Sequence, residues 1–326
     1  MTEPAVDISV VIPTYNDVSS LESLVSEFRS IENLRVQVVV VDDCSSDGTV
    51  ELAEELESKG EITLKRHRRN RGAGVARNTG FKAVTGRYTI FFDADDLVHV
   101  GALRRGVDLL DETGADLAFF PYLYLRSGDS SHDEMNRLDR EIWDAIFSST
   151  ESSYRVGGLD DFNRLLQFAN YPWNKIVRTE TMQEAGLRFG KTKVHNDVLG
   201  HWMSLLSSKK IVVVDDSICT HIVESCGKNL SNRRNADRLQ LFDALDELYD
   251  YLEQVPSLRL RYSHHYWAFA LDLISWAESR IDRAFMVDFR FRLRHHLLRA
   301  SVSDFATIRT TRAPGLADRI IDRAMR

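Results

Sequence analysis

Short runs of β-branched and aromatic residues alternate along the first half of the chain with segments whose apolar residues recur every three or four positions. Ile8–Ile12 and Val36–Val41 are such runs, and Leu21, Leu24 and Phe28 lie between them at helical spacing. Runs of this length and composition are typical of strands that are buried on both faces. Strands that alternate with helices predict an α/β fold with a mostly parallel sheet.

Polar residues follow the predicted strands at the points where the strands end. Asn16 follows the first strand and Asp43 the second. A third run ends at Phe92 and is followed directly by Asp93-Ala94-Asp95-Asp96. Because ligands of open α/β sheets bind at the carboxyl ends of the strands, we expect these side chains to form one site. Clustered carboxylates repel one another unless a cation lies among them, so the site is compatible with Mg²⁺ or Mn²⁺ and a phosphate-bearing substrate.

These residues also allow other interpretations. Asp95 or Asp96 could cap the following helix, and this role is compatible with ligand binding. Asp43–Glu54 has the spacing of an EF-hand loop, but a valine strand enters it where a helix would be needed. Gly72 begins a partial dinucleotide-binding motif in which Arg77 replaces the third glycine. An aspartyl-phosphate phosphatase would give the other strand-end residues no role.

Composition and charge exclude several classes of protein. The 326 residues carry a net charge of −7, which gives no indication of nucleic-acid binding. Cys44, Cys219 and Cys226 are odd in number and lack metal-site spacing, which indicates a reducing compartment. We find no apolar run near the ~18 residues of a transmembrane helix, and Met1–Asp7 lacks the features of a signal peptide. We therefore expect a cytoplasmic protein.

Four motifs together resemble the family 2 inverting glycosyltransferases of GT-A fold. In the family's order and spacing they are Val10–Asn16, Val39–Thr49, Asn70–Gly80 and Phe91–Asp96. The motifs cover roughly residues 7–110, and a looser resemblance continues to about residue 230. The expected organisation is a catalytic domain over residues 1–230 and a helical region over residues 231–326.

The resemblance implies a nucleotide-diphospho-sugar donor, most often a UDP-sugar, bound across the strand ends. Asp43 would accept a hydrogen bond from the base, and Arg77 would steady the donor near its phosphates. The other implied donor-side residues are Pro13, Thr14, Tyr15, Asn16, Asn70, Asp93 and Asp95. Two plainer interpretations stay open: a turn-forming role for Asp43 and a solvated helix position for Arg77.

Asp93, Asp95 and Asp96 resemble the DxD element of the family, which contacts the ribose and holds Mn²⁺ or Mg²⁺. His221 stands where some members have a metal-ligating histidine, ahead of a flexible loop that Gly227–Ser231 resembles. The implied metal ligands are therefore Asp95, Asp96 and His221. The division of ribose and metal between the aspartates stays open, as does the alternative that His221 is only hydrogen-bonded at a strand end.

On the acceptor side the resemblance places Trp173, Lys175 and Asn196. Asn196 stands where the family usually has a glutamate, and Asp197 keeps the aspartate that follows it at the start of a helix. An inverting transfer needs a base that takes the proton of the attacking hydroxyl, and we predict that this base is Asp197. The alternative is an acid that only favours a helix N-terminus.

Two stretches lie outside the motifs. Residues 126–158 are polar apart from a short helical pattern and are expected to form an insertion or mobile loop beside the site. An aromatic set at residues 266–276 is expected to pack on the catalytic domain or on a second subunit. Residues 281–326 contain ten arginines and five aspartates among apolar residues. This end could lie on an anionic membrane at the inner face of the cell, or it could form a helical bundle with a solvated basic face.

The expected function is a metal-dependent inverting glycosyltransferase. It would move a sugar from a nucleotide-diphospho-sugar to a hydroxyl of a glycan or lipid-linked glycan and so extend a cell-surface polysaccharide or glycoconjugate. One alternative is a nucleotidyltransferase of related fold, although the glycine-rich triphosphate loop of such enzymes is absent between Ile12 and Ser19. The other is a non-catalytic scaffold domain that binds a nucleotide sugar.

Overall fold

The structure is a computed structural model that describes residues 6–126, 134–148, 150–223, 234–310 and 313–325. The strands are β1 (Ile8–Thr14), β2 (Val36–Asp42), β3 (Thr63–Arg66), β4 (Tyr88–Phe91), β5 (Leu97–Val98), β6 (Leu117–Phe119), β7 (Leu123–Arg126), β8 (Tyr154–Gly157), β9 (Lys175–Arg178), β10 (Ile211–Val214) and β11 (Cys219–Val223). The α-helices are α1 (Val18–Arg29), α2 (Thr49–Ser58), α3 (Ala73–Phe81), α4 (Val100–Thr113), α5 (Arg137–Phe147), α6 (Thr179–Glu184), α7 (Val198–Ser207), α8 (Gln240–Gln254), α9 (Pro256–Glu278), α10 (Met286–Leu297), α11 (Val302–Thr310) and α12 (Pro314–Met325).

A large central sheet has the strand order β3-β2-β1-β4-β9-β6-β10-β8. β1 lies between β2 and β4 and runs parallel to both, whereas β9 runs antiparallel between β4 and β6. β1 and β4 are buried along their whole length, as expected for strands covered by helices on both faces. The predicted α/β fold with a mostly parallel sheet is confirmed, and the ends of β1, β2 and β4 lie side by side.

The first strand is longer than predicted because Pro13 does not end it. β1 continues to Thr14, although a proline in a central strand normally removes a ladder hydrogen bond. Val11 accepts a bond from the Phe92 amide on the β4 side, so Pro13, two residues later, also faces that side. The pairing of β1 with β4 ends at Phe91. The missing N–H of Pro13 therefore lies beyond the last rung of that ladder.

The segment 117–125 forms two strands in different sheets. β6 pairs with β10 in the large sheet, and β7 pairs with β11 in a smaller sheet of order β5-β11-β7. Pro121 lies in the break between them. The crossing sets Tyr124 of β7 opposite His221 of β11, and so it brings aromatic residues to the predicted metal site.

Two glycines of the partial dinucleotide motif have structural roles at the start of α3. Gly72 adopts a φ of +87°, in the region that favours glycine. A Cβ on Gly74 would lie 2.1 Å from the carbonyl oxygen of Gly190 and 2.9 Å from the Cβ of Asn196. The absence of a side chain at Gly74 therefore allows α3 to approach the loop that precedes α7.

The carboxy-terminal helices pack on the body that carries the large sheet. Tyr266 of α9 contacts Trp202 of α7 edge to face at 6.0 Å, and the Tyr262 hydroxyl donates to Asp160 at 2.8 Å. The aromatic set of α9 thus packs on the same chain, which was one of the two expectations. The predicted domain boundary at residues 230/231 falls among residues outside the described part of the chain, as does Gly227–Ser231. The division into two domains stays a prediction.

Within the described ranges, each helix is either too short or too polar to cross a lipid bilayer. The polar stretch at residues 126–158 contains α5 and β8 in its described part.

Candidate active site

Asp43, directly after β2, is buried and holds the loop that precedes α3. Its carboxylate accepts hydrogen bonds from the backbone amides of Arg71 at 2.9 Å and Gly72 at 2.7 Å. The Nδ1 atom of His67 lies 2.6 Å from the same carboxylate. Asp43 therefore shapes the loop that carries the predicted donor residue Asn70, which is itself exposed. Contact between Asp43 and a nucleotide base stays a prediction.

Asn16 connects the ends of β1 and β2. It adopts a φ of +60°, and its side-chain oxygen accepts from the Ser46 amide at 2.8 Å while its own amide donates to Ser45 Oγ at 3.0 Å. Pro13 and Thr14 are buried beneath it, and the Tyr15 side chain, which is 47% exposed, lies at the surface. Of the predicted donor-side residues Pro13, Thr14 and Tyr15, Tyr15 is thus the one with an exposed side chain.

Arg77 is buried and bridges two distant parts of the chain. Its Nη2 donates to Asp93 at 2.5 Å, and its Nη1 donates to the Asn196 side-chain oxygen at 2.8 Å. The guanidinium also lies 5.4 Å from the centre of the Phe189 ring. The interpretation of Arg77 as a solvated helix residue is therefore wrong. The arginine fixes the first aspartate of the DxD element to the loop that carries Asp197.

Asp96 is buried with one oxygen bonded and one oxygen free. Oδ1 accepts from the Ile222 amide at 2.9 Å and lies 2.8 Å from Nδ1 of His221. Oδ2 is buried and has no hydrogen-bond partner among the described residues. Burial raises the pKa of Asp96 although His221 opposes the shift. Burial favours a neutral imidazole, but the hydrogen bond to Asp96 and the charges of Asp96, Asp93 and Asp95 together outweigh it and raise the pKa of His221.

Asp95 lies between the other two acids and opens to solvent in the cleft. The protein around the cleft still desolvates its carboxylate, and the charges of Asp96 and Asp93 add to this effect. Together they raise the pKa of Asp95 to about 7. Such a shift indicates a carboxylate that a nearby cation would stabilise.

Asp197 directly precedes α7 and makes no side-chain capping bond to that helix. It is half-buried. Burial raises its pKa to about 6, against the attraction of Arg77, while the charge of Asp93 adds to the increase. A carboxylate that only stabilised the helix N-terminus would have a lowered pKa, so its environment favours the general-base interpretation.

Trp173 and Lys175, the predicted acceptor-side residues, are both buried. The Lys175 ammonium donates to the Tyr171 carbonyl at 2.8 Å and to the Asn174 side chain, and it lies 3.1 Å from His201 Nδ1. Desolvation lowers its pKa to about 7. Any influence of these two residues on an acceptor would therefore act through the residues around them. Asn196 is also buried, and its amide oxygen is occupied by Arg77.

Comparison with known proteins supports the family resemblance. Residues 9–163 match the family model described as Glycosyl transferase family 2. The matched segment, a little under half of the chain, resembles glycosyltransferase family 2. The succinoglycan biosynthesis protein ExoO of Rhizobium meliloti is 36% identical over 122 residues, which are 36% of this chain and 35% of ExoO. The poly(ribitol-phosphate) beta-N-acetylglucosaminyltransferase TarS of Staphylococcus aureus is 23% identical over 228 residues, which are 69% of this chain and 37% of TarS.

Solved structures of this family show the same fold. The crystal structure of TarS 1-349 in complex with UDP-GlcNAc has a TM-score of 0.69 and 18% identity, over 98% of this chain and 89% of that chain. The mannosyltransferase PcManGT from Pyrobaculum calidifontis, in complex with GDP-Man and Mn²⁺, has a TM-score of 0.50 and 15% identity, over 99% of this chain and 88% of that chain. The predicted GT-A fold is confirmed. The chain spans about a third of the length of the curated relatives it matches.

The predicted metal ligands do not form a complete site by themselves. The part of the chain that the structure describes has no group of three or more His, Cys, Asp or Glu side chains arranged to hold a metal ion. The free Oδ2 of Asp96 and the accessible carboxylate of Asp95 nevertheless fit a hard cation. Such an ion commonly takes one or two carboxylates and completes its shell with substrate phosphates and water.

Several residues of the candidate site are not indicated by the sequence patterns. His67 orients Asp43, and Asp17, next to Asn16, adds a carboxylate whose pKa is raised mainly by burial. Tyr171 is stacked on Trp173 at 4.5 Å, is half-buried and lies 5.1 Å from the His221 ring. Tyr171 precedes the motif residue Trp173 by two positions, and it is partly exposed, as is Tyr124, which also lies beside His221.

Proposed function

We propose that this chain is an inverting glycosyltransferase that moves a sugar from a nucleotide-diphospho-sugar to a hydroxyl of a glycan acceptor. The observation that carries the proposal is the bridge from Asp93 through Arg77 to Asn196. This bridge joins the DxD element to the loop that carries Asp197. The Asp197 side chain makes no capping bond to α7, and burial raises its pKa to about 6. A donor diphosphate at the strand ends and a base next to it are the two parts that direct displacement requires.

Asp197 takes the role of general base in this proposal. The acceptor oxygen attacks the anomeric carbon from the face opposite the diphosphate, and its proton passes to the Asp197 carboxylate. The new carbon–oxygen bond forms as the bond to the diphosphate breaks, and the leaving diphosphate keeps the electron pair. With a pKa of about 6, Asp197 is mostly ionised at neutral pH and yet basic enough to accept the proton.

The developing charge on the diphosphate needs a positive counterpart. Arg77 is a buried cation beside Asp93, and it supplies part of that charge from within the protein. Asp95 and Asp96 would hold Mn²⁺ or Mg²⁺, with His221 either as a further ligand or as the group that orients Asp96. When bound, the ion neutralises the leaving diphosphate.

The names of the relatives support a choice of donor and acceptor. TarS is described with UDP and UDP-GlcNAc, and ExoO with succinoglycan biosynthesis. We therefore place UDP-sugars first among the donors and a cell-surface polysaccharide or glycoconjugate first among the acceptors. A GDP-sugar is the second donor class to test, because PcManGT was solved with GDP-Man.

The test begins with donor binding. A panel of nucleotide sugars is screened by thermal shift with and without Mn²⁺, and the donor that binds is then assayed for transfer to glycan acceptors. We expect a metal-dependent shift with one donor class, its loss in Asp95→Ala, and its retention in Asp197→Asn. If no donor gives a metal-dependent shift, the proposal fails. A donor that binds but is neither hydrolysed nor transferred would instead indicate a scaffold domain.

A further inference from the structure

Helix α10 has apolar residues on two opposite faces. Its inner face buries Phe289, Leu293 and Leu297 against the rest of the protein. Val287, Phe291 and Leu298 are 80%, 63% and 70% exposed on the other side. We call these three residues the outer stripe. A helix at a protein surface normally has a polar outer face, so the outer stripe is an unusual use of large apolar side chains.

The three residues of the outer stripe lie along one side of α10 and its C-cap, and Arg294 lies between Phe291 and Leu298 on that side. Residues 287, 291 and 298 are separated by four and seven positions, so successive side chains lie above one another on the same face. Val302, at the start of α11, is a further exposed apolar residue of this region and is 87% exposed. Single exposed apolar residues are common, whereas an aligned set marks a surface that meets another apolar phase.

The charged residues beside the outer stripe indicate what kind of surface it contacts. Four arginines of residues 281–326 are paired with acids of the helical region, namely Arg292 with Asp243, Arg299 with Asp246, Arg319 with Asp272 and Arg323 with Glu278. Arg290 and Arg294 differ. They are exposed, they flank the outer stripe, and neither has an ion-pair partner among the described residues.

We propose that the outer stripe docks on an anionic lipid surface. Its three apolar side chains would enter the boundary between headgroups and acyl chains, while Arg290 and Arg294 contact the negative headgroups. A second copy of this chain fits less well. Two facing outer stripes would bring Arg290 and Arg294 of both copies together, and Asp288 of each copy is the acid on that face that could offset their repulsion. The proposal does not depend on the sugar-transfer activity.

The test uses the full chain and vesicles of phosphatidylcholine with and without phosphatidylglycerol, and the bound fraction is measured by co-sedimentation. We expect binding to the anionic vesicles that weakens at high salt. The variant Val287→Ser/Phe291→Ser/Leu298→Ser should lose at least tenfold in vesicle affinity. Its matched control is Val100→Ser/Val156→Ser, which removes exposed valines from the catalytic body and should bind as the parent protein does.

A second variant separates the charge from the apolar contribution. Arg290→Gln/Arg294→Gln should lose more than tenfold in affinity for the anionic vesicles, since each arginine near such a surface contributes roughly fivefold. Arg137→Gln/Arg261→Gln, at exposed positions elsewhere, should lose little. Equal vesicle affinity of the outer-stripe variant and the parent would overturn the proposal. A second result would also overturn it: the parent protein is a dimer in light scattering and does not bind vesicles, and the outer-stripe variant is a monomer. The face would then be an interface between two copies.

Discussion

Two walls of the cleft use the same polar residue types in opposite ways. The nucleotide wall consists of Asn16, Asp43 and the loop 67–72, and its side-chain oxygens accept hydrogen bonds from backbone amides. The reaction wall consists of Asp95, Asp96 and Asp197, where Asp96 keeps a buried free oxygen and Asp197 makes no capping bond. The first wall is already satisfied by the protein, whereas the second has atoms left for a ligand.

We expect this difference to separate residues that shape the proposed site from residues that act in it. A satisfied carboxylate stabilises the loop that surrounds it, and its loss leaves buried donors unpaired. A desolvated carboxylate without donors destabilises the folded state and is retained for function. Mutations on the two walls should therefore have opposite profiles of stability and activity.

The largest expected effect is on the reaction wall. Asp197→Asn removes the proposed base, and we expect kcat/KM for sugar transfer to fall by about 10²- to 10⁴-fold. The free energy of unfolding in urea should not fall, because the substitution removes a desolvated charge. Asp216→Asn, at an exposed position, is the control. Full transfer activity in Asp197→Asn would show that another group takes the proton.

Arg77 tests whether the two walls are coupled. Arg77→Lys keeps a positive charge but cannot reach Asp93 and the Asn196 side chain with two separate N–H groups. We expect kcat/KM to fall at least tenfold and the free energy of unfolding to fall by about 1–3 kcal/mol. In a double-mutant cycle with Asn196→Ala, the two losses should not add. Additive losses would mean that the bridge from Arg77 to Asn196 has no energetic role.

A matched pair of substitutions compares the walls directly by urea unfolding at neutral pH. Asp43→Asn places an amide N–H₂ where a backbone amide or His67 needs an acceptor, and it should lower the free energy of unfolding by about 1–3 kcal/mol. Asp96→Asn should not lower it. The pKa of Asp96 is raised on folding, so its ionised form is less favourable in the folded protein than in the unfolded chain. Removing that charge should therefore not lower the free energy of unfolding at neutral pH. Equal losses in both variants would contradict the distinction between the walls.

The smallest expected effect is on the pH profile. The proposed base must be ionised to act, so kcat/KM should rise as the pH increases through about 6 and then level off. Lys175 lowers the pKa of Asp197, so Lys175→Met should move this acidic limb to higher pH by a fraction of a unit. Lys210→Met, on the surface, should leave the limb in place. A limb that does not move in Lys175→Met would show that Lys175 is only structural.

The nucleotide wall could be predicted because its signals are local. A strand that ends at Asp42 and a polar residue directly after it are sufficient to place Asp43 at the edge of the sheet. The parallel core was predictable for the same reason, since a run of buried β-branched residues has few other uses. The break at Pro121 was visible too, but its consequence was not, because two strands on either side of a proline can stay in one sheet or separate.

The reaction wall depends on packing between distant residues. Arg77 and Asn196 are 119 positions apart, and nothing in either local pattern indicates that they are in contact. Trp173 and Tyr171 are both aromatic and two positions apart, and both rings lie beside His221, yet Trp173 is buried and Tyr171 is partly exposed. The packing between β9 and the smaller sheet decides which of the two is accessible. Sequence periodicity gives no information about that packing.

The close approach of Gly74 to Gly190 and Asn196 has a consequence for dividing the protein into fragments. A piece that ends at residue 163, where the family match ends, contains every donor motif but lacks the loop that covers Gly74 and accepts from Arg77. Such a piece would expose the first turn of α3 and leave a buried arginine with one partner fewer. Nucleotide binding can therefore report whether the chain has folded as far as α7.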